Sequence, residues 1–204
     1  MIFDTHAHYD DSRFDADREE VLAALAAAGV RRVVNVAADM ESVETTLALA
    51  NTHDFIYAAL GVHPDGIAYP EPVYAEKPDE NGQRVIDYYR YGSEKLNLGD
   101  LDHIAKLAKE NPKAVAIGEI GLDYYYETPA RELQKKWFDR QAEMAVGLKL
   151  PIIVHSREAA KDTYDILRAY GGRDRAGIIH CFSYEKEMAR QFLDLGYYIA
   201  IGGA

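Results

Sequence analysis

A chain of 204 residues, 48% hydrophobic and 28% charged, is long enough for one well-buried core and short for two domains, and its balance fits neither disorder nor a fibrous repeat. The formal charge of −11 argues against an extended electrostatic grip on duplex nucleic acid, although bound cations could supply local positive charge in a nuclease pocket. The single cysteine, Cys181, excludes an intrachain disulfide and a cysteine-rich zinc site.

The first apolar run, Met1-Ile2-Phe3, gives way at once to Asp4-Thr5-His6-Ala7-His8. Asp4 and the histidines break any signal-peptide layout, and no apolar run approaches the about 18 residues of a membrane span, so a cytoplasmic protein with no membrane partner is expected. If the run is a strand, His6 and His8 point to one face as a ready pair of metal ligands. Val21, Leu22, Leu25 and Ala28, closed by Gly29, form the apolar stripe of a first helix. Val33 to Ala37 is too apolar to have a solvated face, as expected of a parallel strand covered on both sides. A helix over 41–50 and a strand over 55–60 follow, the latter leading into Gly61-Val62-His63-Pro64.

Residues 64–99 break this rhythm with Pro64, Pro70, Pro72 and Pro78, an Asn81-Gly82 turn signal, and Tyr69, Tyr74, Tyr88, Tyr89 and Tyr91. The stretch reads as a long βα loop, either a lid or substrate wall on the active-site face or an insertion tolerated because loops cost little to lengthen. The alternation resumes with a helix over 101–110 and a strand Ala114 to Gly118 that ends on Glu119. Thr128 can cap a helix with Pro129 in its first position and Leu133, Trp137, Met144 and Leu148 along one side. A strand 151–154 ends on His155, and a helix over 158–170 follows it. The strand 177–179 ends on His180, followed by a helix over 185–195 and a strand 197–201.

Seven strands alternating with six helices define an α/β chain and favour a (β/α) barrel over an open doubly wound sheet. No Gly-x-Gly-x-x-Gly turn follows the first strand, which removes the usual dinucleotide reading. Four apolar runs end in metal-competent side chains: His6 with His8, then Glu119, His155 and His180. In a parallel barrel all strand C-termini share one face, so these groups converge. Imidazoles with a carboxylate and no thiolate suit zinc, manganese or a similar divalent ion, Mg²⁺ preferring more oxygen. Four histidines and a glutamate exceed the needs of one tetrahedral ion with an open position, so two divalent ions bridged by Glu119, activating a water for hydrolysis, fit better. Arg157 could grip a phosphate or pair with Glu158 at a helix start, and Tyr124-Tyr125-Tyr126 could offer stacking faces or pack into the loop layer.

The segments Asp4 to His8, Gly61 to Pro64, Ile117 to Tyr124, Pro151 to Arg157 and His180-Cys181-Phe182-Ser183 together resemble the TatD family of metal-dependent deoxyribonucleases, across the whole chain except 64–99. The resemblance implies a TIM barrel and a divalent-metal phosphodiesterase acting on DNA ends or a small phosphodiester, often exonucleolytic from the 3′ end. It implies His6, His8, Glu119, His155 and His180 as metal ligands, Glu119 being shared between ions. His63 and Asp123 match further active-site positions, where contacts to substrate or leaving group are expected; Arg157 and Tyr124 are the candidate substrate-binding residues. The family pattern continues to an eighth strand bearing a Glu-Thr-Asp motif whose Asp binds metal, whereas this sequence stops at Gly202-Gly203-Ala204. A barrel lacking its eighth βα unit, weak binding at one metal site and low activity are therefore expected of these 204 residues. The alternatives are an amidohydrolase-type hydrolase of a lactone, amide or phosphotriester, which a carbamylated lysine in place of Glu119 would favour, and an inactive form that binds without cleaving.

Overall fold

The computed structural model describes residues 1–67, 76–78, 84–86, 98–125, 130–171 and 176–202. Seven strands form one parallel sheet: β1 (Ile2–Ala7), β2 (Val30–Val36), β3 (Ile56–Leu60), β6 (Ala114–Asp123), β7 (Ile152–Arg157), β8 (Gly177–Ile179) and β9 (Tyr197–Ile199). They lie side by side in chain order. A doubly wound sheet reverses its strand order at a switch point, and this one does not.

The sheet is also curled. β1 and β8 are five steps apart in it, which on a flat sheet separates them by about 24 Å at the usual strand spacing. Yet the rings of His6 and His180 stack with centroids 3.5 Å apart. The strands thus form a half-barrel, with β1 and β9 as its two edges.

Between the strands run α1 (Arg18–Ala27), α2 (Met40–Thr52), α4 (Leu98–Glu110), α5 (Arg131–Leu148), α6 (Ala160–Leu167) and α7 (Lys186–Asp194). Strand alternation sorts the apolar side chains into two clusters. Val33, Ala58, Leu60, Ile117, Ile152 and Val154 pack with helix residues such as Val43, Leu47, Ile104 and Phe138. Val34, Val36, Ala59, Ala116 and Ile153, of opposite parity, contact one another on the inner side. His155 lies two residues beyond Ile153, so it shares that inner side. α2 begins at a reciprocal cap, in which the Ser42 amide donates to Asp39 Oδ1 at 2.7 Å and Asp39 N donates to Ser42 Oγ at 2.8 Å.

Several expectations shift. The stretch 64–99 is not structureless: it contains a helical turn, α3 (Pro64–Ile67), an antiparallel pair, β4 (Glu76–Pro78) with β5 (Arg84–Ile86), and the start of α4 at Leu98. The five tyrosines expected to make a lid or wall lie outside the described residues, as do Thr128 and Pro129; α5 starts at Arg131, with Ala130 in the cap position. Its buried face is Gln134, Trp137, Phe138, Gln141, Ala142 and Ala145, while Leu133, Met144 and Leu148 are only partly covered. α6 is shorter than the expected 158–170 at both ends: Glu158, with φ of 53°, stands outside the helical region, and the helix stops at Leu167. No described helix is long and apolar enough to cross a membrane.

Candidate metal centre

Glu119 is the hub of the site, and it is not a strand end. β6 continues through it to Asp123, with a register shift against β7 between Ile117 and Ile120. Gly118 permits the close approach there, since a Cβ would lie 2.7 Å from the Ile153 carbonyl oxygen. The Glu119 amide donates to Ala37 O at 2.9 Å, anchoring the residue to the chain just beyond β2. Its side chain is buried and reaches two histidines, with Oε2 3.3 Å from His6 Nε2 and Oε1 3.1 Å from His155 Nδ1.

Two sets of potential ligand atoms meet at this carboxylate. His6, His8 and Glu119 form one; His63, Glu119 and His155 form the other, the atoms of each lying within 4.8 Å of one another. The period-two argument for His6 and His8 holds, their Nε2 atoms being 3.1 Å apart. Buried His6 Nδ1 has no hydrogen-bond partner among the described residues. Burying an imidazole nitrogen without a partner is costly, and two imidazoles with a carboxylate are a donor set suited to zinc, manganese or a similar ion. The residues present therefore fit divalent metal.

The second set departs from expectation, for it includes His63 rather than His180. His63 follows β3, and its ring meets that of His155 at 4.2 Å. His180 follows β8 and lies flat against His6. Asp123, expected to face substrate or leaving group, is 3% exposed and fully engaged. Its Oδ2 lies 3.0 Å from His155 Nε2 and its Oδ1 accepts the Tyr125 amide at 2.9 Å. Asp123 thus stands behind His155.

Burial alone would raise the Glu119 carboxyl, but hydrogen bonds from His155 and His6 hold it well below the ordinary carboxylate range. For His155, burial opposes charge, yet the carboxylates of Glu119 and Asp123 win and raise it. Burial lowers His63, and it lowers His180 to about 4 with help from the charge on His6.

The rim carries the aromatic and cationic groups. Tyr124 is packed, its hydroxyl donating to Asp162 at 2.7 Å and its ring lying 4.3 Å from the Arg131 guanidinium. Tyr125 is 53% exposed, and the Arg157 guanidinium sits 3.7 Å above its ring. Arg157 is the last residue of β7, not a helix start, and its guanidinium stacks on Tyr125. Tyr126 lies outside the described residues.

Sequence reasoning missed the polar supports. Buried Asn35 accepts the Tyr9 amide at 2.6 Å and donates to Asp10 Oδ1 at 2.7 Å and Thr46 Oγ1 at 3.0 Å, holding the chain just past His8. Gln134 and Gln141 are also fully buried. Two glutamines seven residues apart on the Trp137 side of an amphipathic helix were the available signal.

A parallel half-barrel that gathers imidazoles around one buried carboxylate on its concave side is the framework of a metal-dependent hydrolase. The chain matches the model "TatD related DNase" over residues 3–204. It is 35% identical over 204 residues to the metal-dependent hydrolase YabD of Bacillus subtilis, covering 100% of this chain and 69% of that protein. To the metal-dependent hydrolase YjjV of Escherichia coli it is 33% identical over 206 residues, covering 99% and 68%. The crystal structure of YjjV, a TatD homologue, superposes with a TM-score of 0.76 at 31% identity, over 97% of this chain and 66% of that one. A TatD-family hydrolase from Entamoeba histolytica, at 22% identity and a TM-score of 0.77, shares the fold over 98% of this chain and 64% of its own. This chain therefore belongs to the TatD-related DNase family and spans about two thirds of the length of these relatives.

Proposed function

We propose that this protein hydrolyses phosphodiester bonds of DNA at strand ends, releasing nucleotides from the 3′ side, with two divalent ions held by His6, His8, Glu119, His155 and His180. The observation that carries this reading is the Glu119 carboxylate, whose two oxygens reach His6 and His155 at 3.3 and 3.1 Å. One carboxylate placed between two imidazole groups is the arrangement that a two-ion site requires. The family assignment supports DNA as the substrate.

The ions, when bound, supply Lewis acidity toward a phosphoryl oxygen and a more acidic water. The remaining work falls to side chains. Glu119, anionic at neutral pH, would hold the ions, and it contacts His6 and His155. The backbone amide of Asp65 donates to His63 Nδ1 at 3.1 Å, which leaves the proton of a neutral His63 on Nε2. His63 is thereby suited to donate a hydrogen bond to the leaving oxygen rather than to ligate. Asp123 acts through His155 rather than on substrate. Arg157, at the end of β7, and Tyr125 offer a phosphate grip and a stacking face at the rim, while the neighbouring Tyr124 is braced against Asp162.

The test is cleavage of end-labelled single-stranded DNA in the presence of Mg²⁺, Mn²⁺ or Zn²⁺. Metal-dependent trimming from the 3′ end, lost on His6→Ala, is the expected result. Absence of cleavage with metal demonstrably bound would overturn the nuclease reading in favour of small-molecule hydrolysis.

A further inference from the structure

One helix grips two segments of the site by the same device. The side-chain amide of Gln134 in α5 accepts the Asp123 amide on Oε1 at 2.8 Å and donates from Nε2 to the Asp123 carbonyl at 2.8 Å. Gln141, two turns along the same helix, accepts the Val62 amide on Oε1 at 2.7 Å and donates to the Val62 carbonyl at 3.0 Å. Each glutamine thus bonds both main-chain groups of one residue, Asp123 at the end of β6 and Val62 just past β3, and neither side chain is accessible to solvent. Asp123 is the residue whose carboxylate holds His155, and Val62 immediately precedes His63.

We propose that Gln134 and Gln141 are positioning residues which use α5 as a ruler, fixing the Asp123–His155 and His63 halves of the site at a set separation. Seven residues of helix rise about 10.5 Å, and a packed helix does not stretch. A side-chain amide is suited to this because its donor and acceptor match those of a peptide group, so both main-chain partners are satisfied while their position is fixed. His63 lies beyond the end of β3, while His155 sits within β7, which runs two residues past the end expected from sequence, and their ring contact at 4.2 Å joins them directly. Small displacements of a ligand group from its supporting shell are what such outer contacts prevent.

The inference rests on the proposed function only in treating these histidines as a site, and its test needs no catalysis. The ring ¹⁵N resonances of His63 and His155 are recorded at one pH in the metal-free wild-type chain, Q134M and Q141M, and Co²⁺ affinity is measured on each. Q134M is expected to move the His155 ring signals and leave those of His63, and Q141M to do the reverse. Q134M should weaken Co²⁺ binding about tenfold through the ligand His155, whereas Q141M, acting on the non-ligating His63, should leave it unchanged. Lower thermal stability with unchanged ring signals and unchanged Co²⁺ affinity would show that the glutamines only support the fold, and would overturn the proposal. If methionine prevents folding, Q134E and Q141E, which retain the acceptor and lose the donor, are read in the same way. In the unmodified chain the Val62 and Asp123 amides should exchange slowly with solvent; rapid exchange at both also overturns the proposal. A wild-type chain inactive on DNA leaves all these readouts intact, so failure of the nuclease reading is seen separately.

Discussion

Asp123 and Glu119 hold His155 from opposite sides of its ring, at 3.0 Å from Nε2 and 3.1 Å from Nδ1. In the metal-free protein His155, its pKa raised, donates from Nδ1 to Glu119 and from Nε2 to Asp123; the hold of Asp123 on the Nε2 proton leaves Nδ1 as the nitrogen that would give up its proton to bind a metal. Asp123→Ala should lower divalent-metal affinity by about 10- to 100-fold, measured by calorimetric titration with Zn²⁺ or Co²⁺. Unchanged affinity would mean that Asp123 does not act through His155.

Removing the shared carboxylate tests the site as a whole. Glu119→Gln keeps the volume and deletes the charge, so both ligand sets lose their anion at once. Bound metal per chain, counted by atomic absorption after dialysis, should fall at both positions while far-ultraviolet circular dichroism stays the same. Loss of one ion with full retention of the other would show that Glu119 serves one site only.

His180 gives the metal-free protein a defined acid sensitivity. Its folded value of about 4 lies below the ordinary 6.5. Between those values the unfolded chain takes up a proton that the folded chain refuses, so this group makes stability rise as pH increases from about 4 to about 6.5 and removes that stability as pH falls. Urea midpoints of wild type and His180→Asn across that range should diverge, the variant showing the shallower rise. Parallel curves would rule out a His180 that the fold keeps neutral.

Arg157 and the exposed Tyr125 form a stack, the guanidinium lying 3.7 Å from the ring. Arg157→Ala and Tyr125→Ala should each raise KM for a single-stranded oligonucleotide several-fold with a smaller effect on kcat, a base stack being worth about 1–3 kcal/mol. A loss confined to kcat would place these residues in the chemical step.

Asn35 ties the segment after His8 to the body of the fold. Asn35→Ala leaves the Tyr9 amide and Thr46 without this partner in a buried place, at a cost of about 2 kcal/mol. For a chain of this size that corresponds to a fall in Tm of about 4–8 °C. A negligible shift would show that water or a rearranged Asp10 replaces the amide.

The alternation of apolar runs was enough to define a parallel α/β sheet, because strands covered on both faces must be apolar throughout and the stretches between them carry helical periodicity. The pairing of His6 with His8 was equally local, since side chains two apart on a strand share a face. Three-dimensional relationships were decided elsewhere. Glu119 is a mid-strand residue because pairing with β7 carries β6 on to Asp123, and pairing is a property of two segments. His63 joins His155 while His180 stacks on His6 because the curl of the sheet sets distances between strand ends far apart in the chain. Buried Gln134 and Gln141 could not be told from surface residues by type; their roles depend on which main-chain groups α5 meets when it packs.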